Sequence, residues 1–285
     1  MEAIIGYLFE PFSFTFMQRG LAAAVMVGIV GGVIGCYVVL KGMAFLGDAL
    51  AHAILPGIAI AYISGQALFW GAIIAGILSA VGISFLSRQE RFKEDTSIGV
   101  IFAAMFGLGI ALISTIRGYA GDLTHLLFGN ILGVSQGDLL LTAGLGLVVL
   151  VLVFLFYKEL LVISFDAVHA AALRLPIRWL DLLLVVMIAV TVVVALQTVG
   201  VALVVAMLVT PAATASMLTK RLLVMMVIAA ALGAVSGLIG LYASYWLNVA
   251  SGAAIVLAAT AFFLLALILA PQRGLLWQRF PGKRT

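Results

Sequence analysis

From residue 20 to residue 40 the chain carries no charged side chain, a run as long as the roughly 20 apolar residues a helix needs to cross a bilayer core. Such runs recur. Between Lys41 and Arg88 only Asp48 and His52 can ionise, and Ser64-Gly65-Gln66 offers a break, which gives spans near 43–63 and 67–87. Residues 96–116 and 139–157 supply two more. The uncharged run 182–219 is too long for one span and divides at Gln197-Thr198-Val199-Gly200; the run 222–272 divides near residues 248–252. Only 9% of the 285 residues are charged, against about 25% in soluble domains. In lipid the backbone must satisfy its own hydrogen bonds, so only helix bundles and closed barrels cross. A barrel alternates apolar and polar residues over about ten positions, and these runs do not. The expectation is an all-α, polytopic transmembrane helical bundle of about nine spans, forming a single domain over residues 1–285.

The basic residues orient it. With nine spans, thirteen of the fifteen Lys and Arg fall on one side and only Arg19 and Arg117 on the other. Basic residues favour the cytoplasm, which puts the N-terminus outside and the C-terminus in the cytoplasm. Missing or inventing one span would collapse this asymmetry. The same distribution accounts for the net charge of +4 without nucleic acid. Glu2 and Glu10 before the first run argue against a signal peptide, and a lone Cys36 excludes an intrachain disulfide. Gly28 with Gly32, Gly31 with Gly35, and Gly233 with Gly237 form G-x-x-x-G pairs, which let helix backbones approach closely in lipid.

Asp48 and His52 stand out chemically. Four residues apart, they share a helix face. Intramembrane ionisable groups are costly and mark polar pathways. A carboxylate and an imidazole one turn apart make half of a divalent-metal site; the rest would come from other spans, a second copy or water. Two blander readings stand beside it: the two residues bond each other and fix a bundle contact, or Asp48 is wetted at the cytoplasmic interface. Asp122 and His125, on the outward side, are a second candidate pair, for metal or for an external partner's docking surface.

The longest mixed segment, residues 158–181, is cytoplasmic in this topology. Within it FDAVHAAALRLP at 165–176 predicts a short helix with Asp166 as N-cap and Pro176 as stop. Carrying His169 and Arg174, it is either a handle for a cytoplasmic partner or a helix lying on the headgroups. Thr210-Pro211 interrupts the seventh span, where proline frees a carbonyl one turn earlier. No G-x-x-x-x-G-K-[ST] and no H-E-x-x-H occurs, so neither a P-loop nor a zincin reading has support.

Four segments in order resemble one family, the membrane permease subunits of bacterial ABC transporters for manganese, zinc and iron. They are GDALAHAILPG at 47–57, KEDTSIG at 93–99, DLTH at 122–125 with LFGN at 127–130, and VGV at 199–201 with VTPAATA at 209–215. The resemblance covers nearly the whole chain. It implies a permease of the bacterial cytoplasmic (inner) membrane that pairs with a second copy of itself. Its cytoplasmic ATP-binding subunits would hydrolyse ATP, and an extracytoplasmic metal-binding protein would deliver the ion. It implies that Asp48 and His52 line the metal pathway, and that Asp166, His169, Arg174 and Pro176 belong to the helix coupling to the ATPase. The stretch Ala167-Val168-His169 departs from the more acidic one that relatives often carry. No cofactor would be bound permanently; manganese, or else zinc or iron, would be cargo. Two other functions fit parts of the pattern: a proton-coupled secondary metal transporter with Asp48 and His52 as relay, and a membrane scaffold for a cytoplasmic partner.

Overall fold

In a computed structural model the described residues are 10–89, 93–116 and 131–270. Their regular structure is helical throughout: α1 Thr15–Leu40, α2 Ala44–Ala53, α3 Leu55–Ile63, α4 Leu68–Ser87, α5 Glu94–Ser114, α6 Gln136–Leu155, α7 Tyr157–Phe165, α8 Ala167–Ala172, α9 Ile177–Val199, α10 Val201–Leu218, α11 Leu222–Leu247 and α12 Ser251–Leu269. Among these residues nine spans are long and apolar enough to cross a membrane, α2 and α3 together making one. The nine-span bundle is as expected. Both long runs also divide where anticipated. Gly200, at φ +82°, ends α9, and Asn248, left-handed at φ +53°, ends α11.

The glycine pairs of α1 serve two neighbours. Gly28 and Gly32 lie against α11, where a Cβ on Gly28 would stand 2.5 Å from the carbonyl carbon of Gly233 and one on Gly32 2.7 Å from that of Ala229. Gly237 of the same seam lies against Ala24. Gly31 and Gly35, on the other face, lie against the carbonyls of Met207 and Leu208 in α10. One helix thus holds two others at backbone distance, and no bulky side chain could enter either seam. Pro211 does not interrupt α10, which runs unbroken past it. The carbonyl that a proline at 211 deprives of its amide is that of Met207, and this is the carbonyl facing Gly31.

Burial is uneven. In α1 and in α9, 72% of the span is buried, whereas in α5 the share is 17%. The core lies along α1, α9 and α10, and α5 rides on its outside against α2 and α3.

Residues 158–181 differ from the expectation in detail. Most of their first half extends α7, and a one-and-a-half-turn α8 follows. Asp166 is the N-cap, its Oδ1 accepting from the His169 N–H at 2.9 Å. Pro176 is not what stops α8. Arg174 at φ +56° does, with its N–H donating to Ala171 O and that of Leu175 to Ala170 O, the two bonds of a Schellman ending. Pro176 instead caps the start of α9, where its missing N–H is harmless.

Candidate metal pathway

The span that carries Asp48 and His52 is broken just beyond them. Pro56 sits in the first turn of α3 and cannot supply the amide that would bond the His52 carbonyl. The Ile54 N–H turns to that carbonyl instead, and α2 ends at Ala53. At 1.5 Å per residue, Asp48 lies about 6 Å and His52 about 12 Å into a span about 30 Å long. Both therefore lie within the span rather than at its end, His52 near the middle of its length.

His52 Nε2 stands 3.7 Å from Asp48 Oδ1, with the side chains 24% and 40% exposed. That separation is too long for a hydrogen bond, which weakens the reading of a self-satisfied pair. Two metal–ligand bonds of about 2.1 Å hold their donor atoms about 3 to 3.6 Å apart, so a small rotamer adjustment would let both side chains grip one ion. His52 Nδ1 is buried and, among the described residues, has no hydrogen-bond partner. Besides Asp48, the imidazole is held by aromatic contacts. Phe106 meets it edge-on at 5.5 Å and 77°, Phe102 at 6.1 Å and 64°. These two rings of α5 stack on each other at 5.6 Å, and Phe45 meets Phe102 edge-on at 5.8 Å. Each such contact adds about 0.5–1.5 kcal/mol beyond burial, so the wall fixes the ring plane and keeps water from that side.

Among the described residues no three His, Cys, Asp or Glu side chains come together. Asp48 and His52 thus stand as a pair of candidate ligands, partly exposed. Asp122 and His125 lie outside the described residues.

Asp166, His169 and Arg174 gather on and around α8, where His169 and Arg174 are exposed beside Val168, at 81%, and Leu173, at 54%. Ala170 alone is fully buried and anchors the turn. Sequence reasoning missed two features near these sites. One is the phenylalanine wall; Phe102 and Phe106 are four apart and share a face of α5, but an apolar helix offers many such pairs. The other is an ion pair between Lys41 Nζ at the end of α1 and Asp181 Oδ1 in the first turns of α9, at 2.5 Å. It joins residues 140 apart, a distance no local pattern bridges.

The model of the ABC 3 transport family matches residues 13–270. The chain belongs to that family. Full-length relatives agree: it is 49% identical to the manganese transport system membrane protein MntC of Halalkalibacterium halodurans, over 100% of this chain and 98% of that protein. It is 41% identical to the manganese import system permease protein ScaB of Streptococcus gordonii, over 91% of this chain and 93% of the relative. The solved structure of PsaBC from Streptococcus pneumoniae in complex with Fab superposes with a TM-score of 0.85 at 40% identity, covering 97% of this chain and 100% of that one. The chain is thus an ABC-transporter permease, a multi-pass protein of the bacterial inner membrane.

Proposed function

We propose that this permease carries manganese inward through an ATP-driven importer, with Asp48 and His52 as the protein ligands the ion meets inside the membrane. The observation that carries this reading is the pair itself: an acid and an imidazole a turn apart, 3.7 Å between donor atoms and partly exposed, within a broken span. The names of the relatives, manganese transport and import proteins, support the choice of metal; a relative named as a probable iron transport protein keeps iron in the same class. Imidazole is a poor ligand for hard ions, so calcium and magnesium are disfavoured. Among the described residues of one chain the ligand set is incomplete, and a second copy across a two-fold axis would supply the matching pair.

In this reading the N-terminus is outside and the C-terminus cytoplasmic, so α7 and α8 face the cytoplasm. Val168, His169, Leu173 and Arg174 of the α8 region then dock an ATP-binding subunit, which hydrolyses the nucleotide and drives the pathway between outward and inward access. Asp122 and His125 belong to the outer side, where a delivering metal-binding protein would sit.

The test is uptake by vesicles holding the permease, its ATPase and the binding protein, comparing manganese, zinc and iron. Asp48→Asn and His52→Ala are each expected to abolish manganese uptake while the ATPase still co-purifies. Normal uptake by either variant refutes the site. Uptake that persists without the ATPase and stops with an uncoupler refutes the ATP-driven mechanism.

A further inference from the structure

A cleft of about 270 Å³ lies where the last turn of α4 meets the ends of α1, α5 and α9. Lys41, Arg88 and Arg178 line it, with Glu94, Asp181 and Ser87. Asp181 is committed to Lys41. Among the described residues neither arginine pairs with a carboxylate: Arg88 Nη2 donates to the Arg178 carbonyl at 3.0 Å and to Ser84 Oγ at 3.5 Å. Ser87 Oγ is shut off from solvent and, among the described residues, has no hydrogen-bond partner. Three cations against two carboxylates leave the lining at +1, the charge that one phosphodiester neutralises.

Its setting narrows the ligand. The cleft opens on the side that holds thirteen of the fifteen basic residues in the nine-span topology. Phe85 and Trp179, next in sequence to the lining residues Ser84 and Arg178, are 66% and 72% exposed, and exposed aromatic side chains gather at the headgroup level of a bilayer. Basic pockets between spans on the cytoplasmic side suit anionic headgroups. We propose that the cleft binds the phosphodiester of an anionic phospholipid of the cytoplasmic leaflet. Arg88 and Arg178 donate to the phosphate oxygens, and the acyl chains enter the surrounding leaflet.

The full chain, purified with its ATPase in neutral detergent and stripped of lipid, is titrated with phosphatidylglycerol, with phosphatidylcholine of the same chains, or with glycerol 3-phosphate. Bound lipid is counted by native mass spectrometry and stability read as Tm. Phosphatidylglycerol is expected to be retained and to raise Tm, phosphatidylcholine and glycerol 3-phosphate to do neither. The double variant Arg88→Gln/Arg178→Gln should bind phosphatidylglycerol about thirtyfold more weakly. Lys220→Gln/Arg221→Gln, which removes two exposed charges outside the cleft, should bind it normally. Equal retention of the two lipids, unaltered binding by the arginine variant, or an equal effect of glycerol 3-phosphate overturns the proposal, the last by making this a soluble-anion site.

Discussion

Replacing Gly28 with alanine adds one methyl group to the closest seam of the bundle. Its Cβ would stand 2.5 Å from the carbonyl carbon of Gly233 and 2.9 Å from the Ala234 nitrogen. Ordinary contact distances for such atoms are about 3.5–4 Å, so α1 and α11 must separate by about 1 Å. Both obstructing atoms are backbone, and no rotamer can yield. The separation also loosens the Gly32–Ala229 and Ala24–Gly237 contacts along the same seam. Overpacking of this kind costs about 1–3 kcal/mol, and the better helix propensity of alanine returns about 1 kcal/mol. Because relief would have to move a whole helix, the cost lies at the upper end of that range and the net loss is about 2 kcal/mol. Gly99 of α5 is the control, since a Cβ there meets nothing within 4 Å and should only help the helix. Cys36, the sole cysteine, is buried in α1 itself, so a thiol-reactive fluorophore reports unfolding of the helix under test. Gly28→Ala should react at a Tm several degrees below the parent, and Gly99→Ala at or above it. If the two variants melt together, or Gly28→Ala is as stable as the parent, the seam does not determine bundle stability.

Three further outcomes are expected. Arg174 occupies a left-handed position that glycine tolerates better; Arg174→Gly should therefore leave stability unchanged or up to about 1 kcal/mol higher, whereas Arg174→Glu should weaken ATPase co-purification without lowering Tm. Equal ATPase recovery with Arg174→Glu would remove the charge from the docking reading. Phe106→Ala deletes the closer edge-on contact to His52; with the ligands intact, manganese uptake should need several-fold more metal for half its maximal rate. An unchanged concentration dependence would mean that the wall does not position the imidazole.

The spans were legible because bilayer thickness sets the length of an uncharged run, and both internal divisions fell at residues able to turn the chain, Gly200 and Asn248. Spacing also placed Asp48 and His52 on one face, and composition marked Asp166 as a cap. The glycine pairs announced close packing but not a partner, since a missing side chain carries no address; only the fold assigns Gly28 to α11 and Gly35 to α10. Likewise Pro56 is plain in the sequence, yet its effect on the carbonyl of His52 depends on the helix continuing to that point. The phenylalanine wall and the Lys41–Asp181 pair were illegible for one reason: each joins elements that no local period relates.

The phenylalanines that hold His52 stand on α5, the span with the smallest buried share. A cradle with one wall on so lightly held a helix is stiffened by whatever presses on that helix from outside. With the ion at the proposed pair and a second copy packed against α5, ion occupancy and subunit association would be linked, each raising the other by the same factor. For such a permease, metal affinity measured on dilute, dissociated chains would understate that of the assembled carrier.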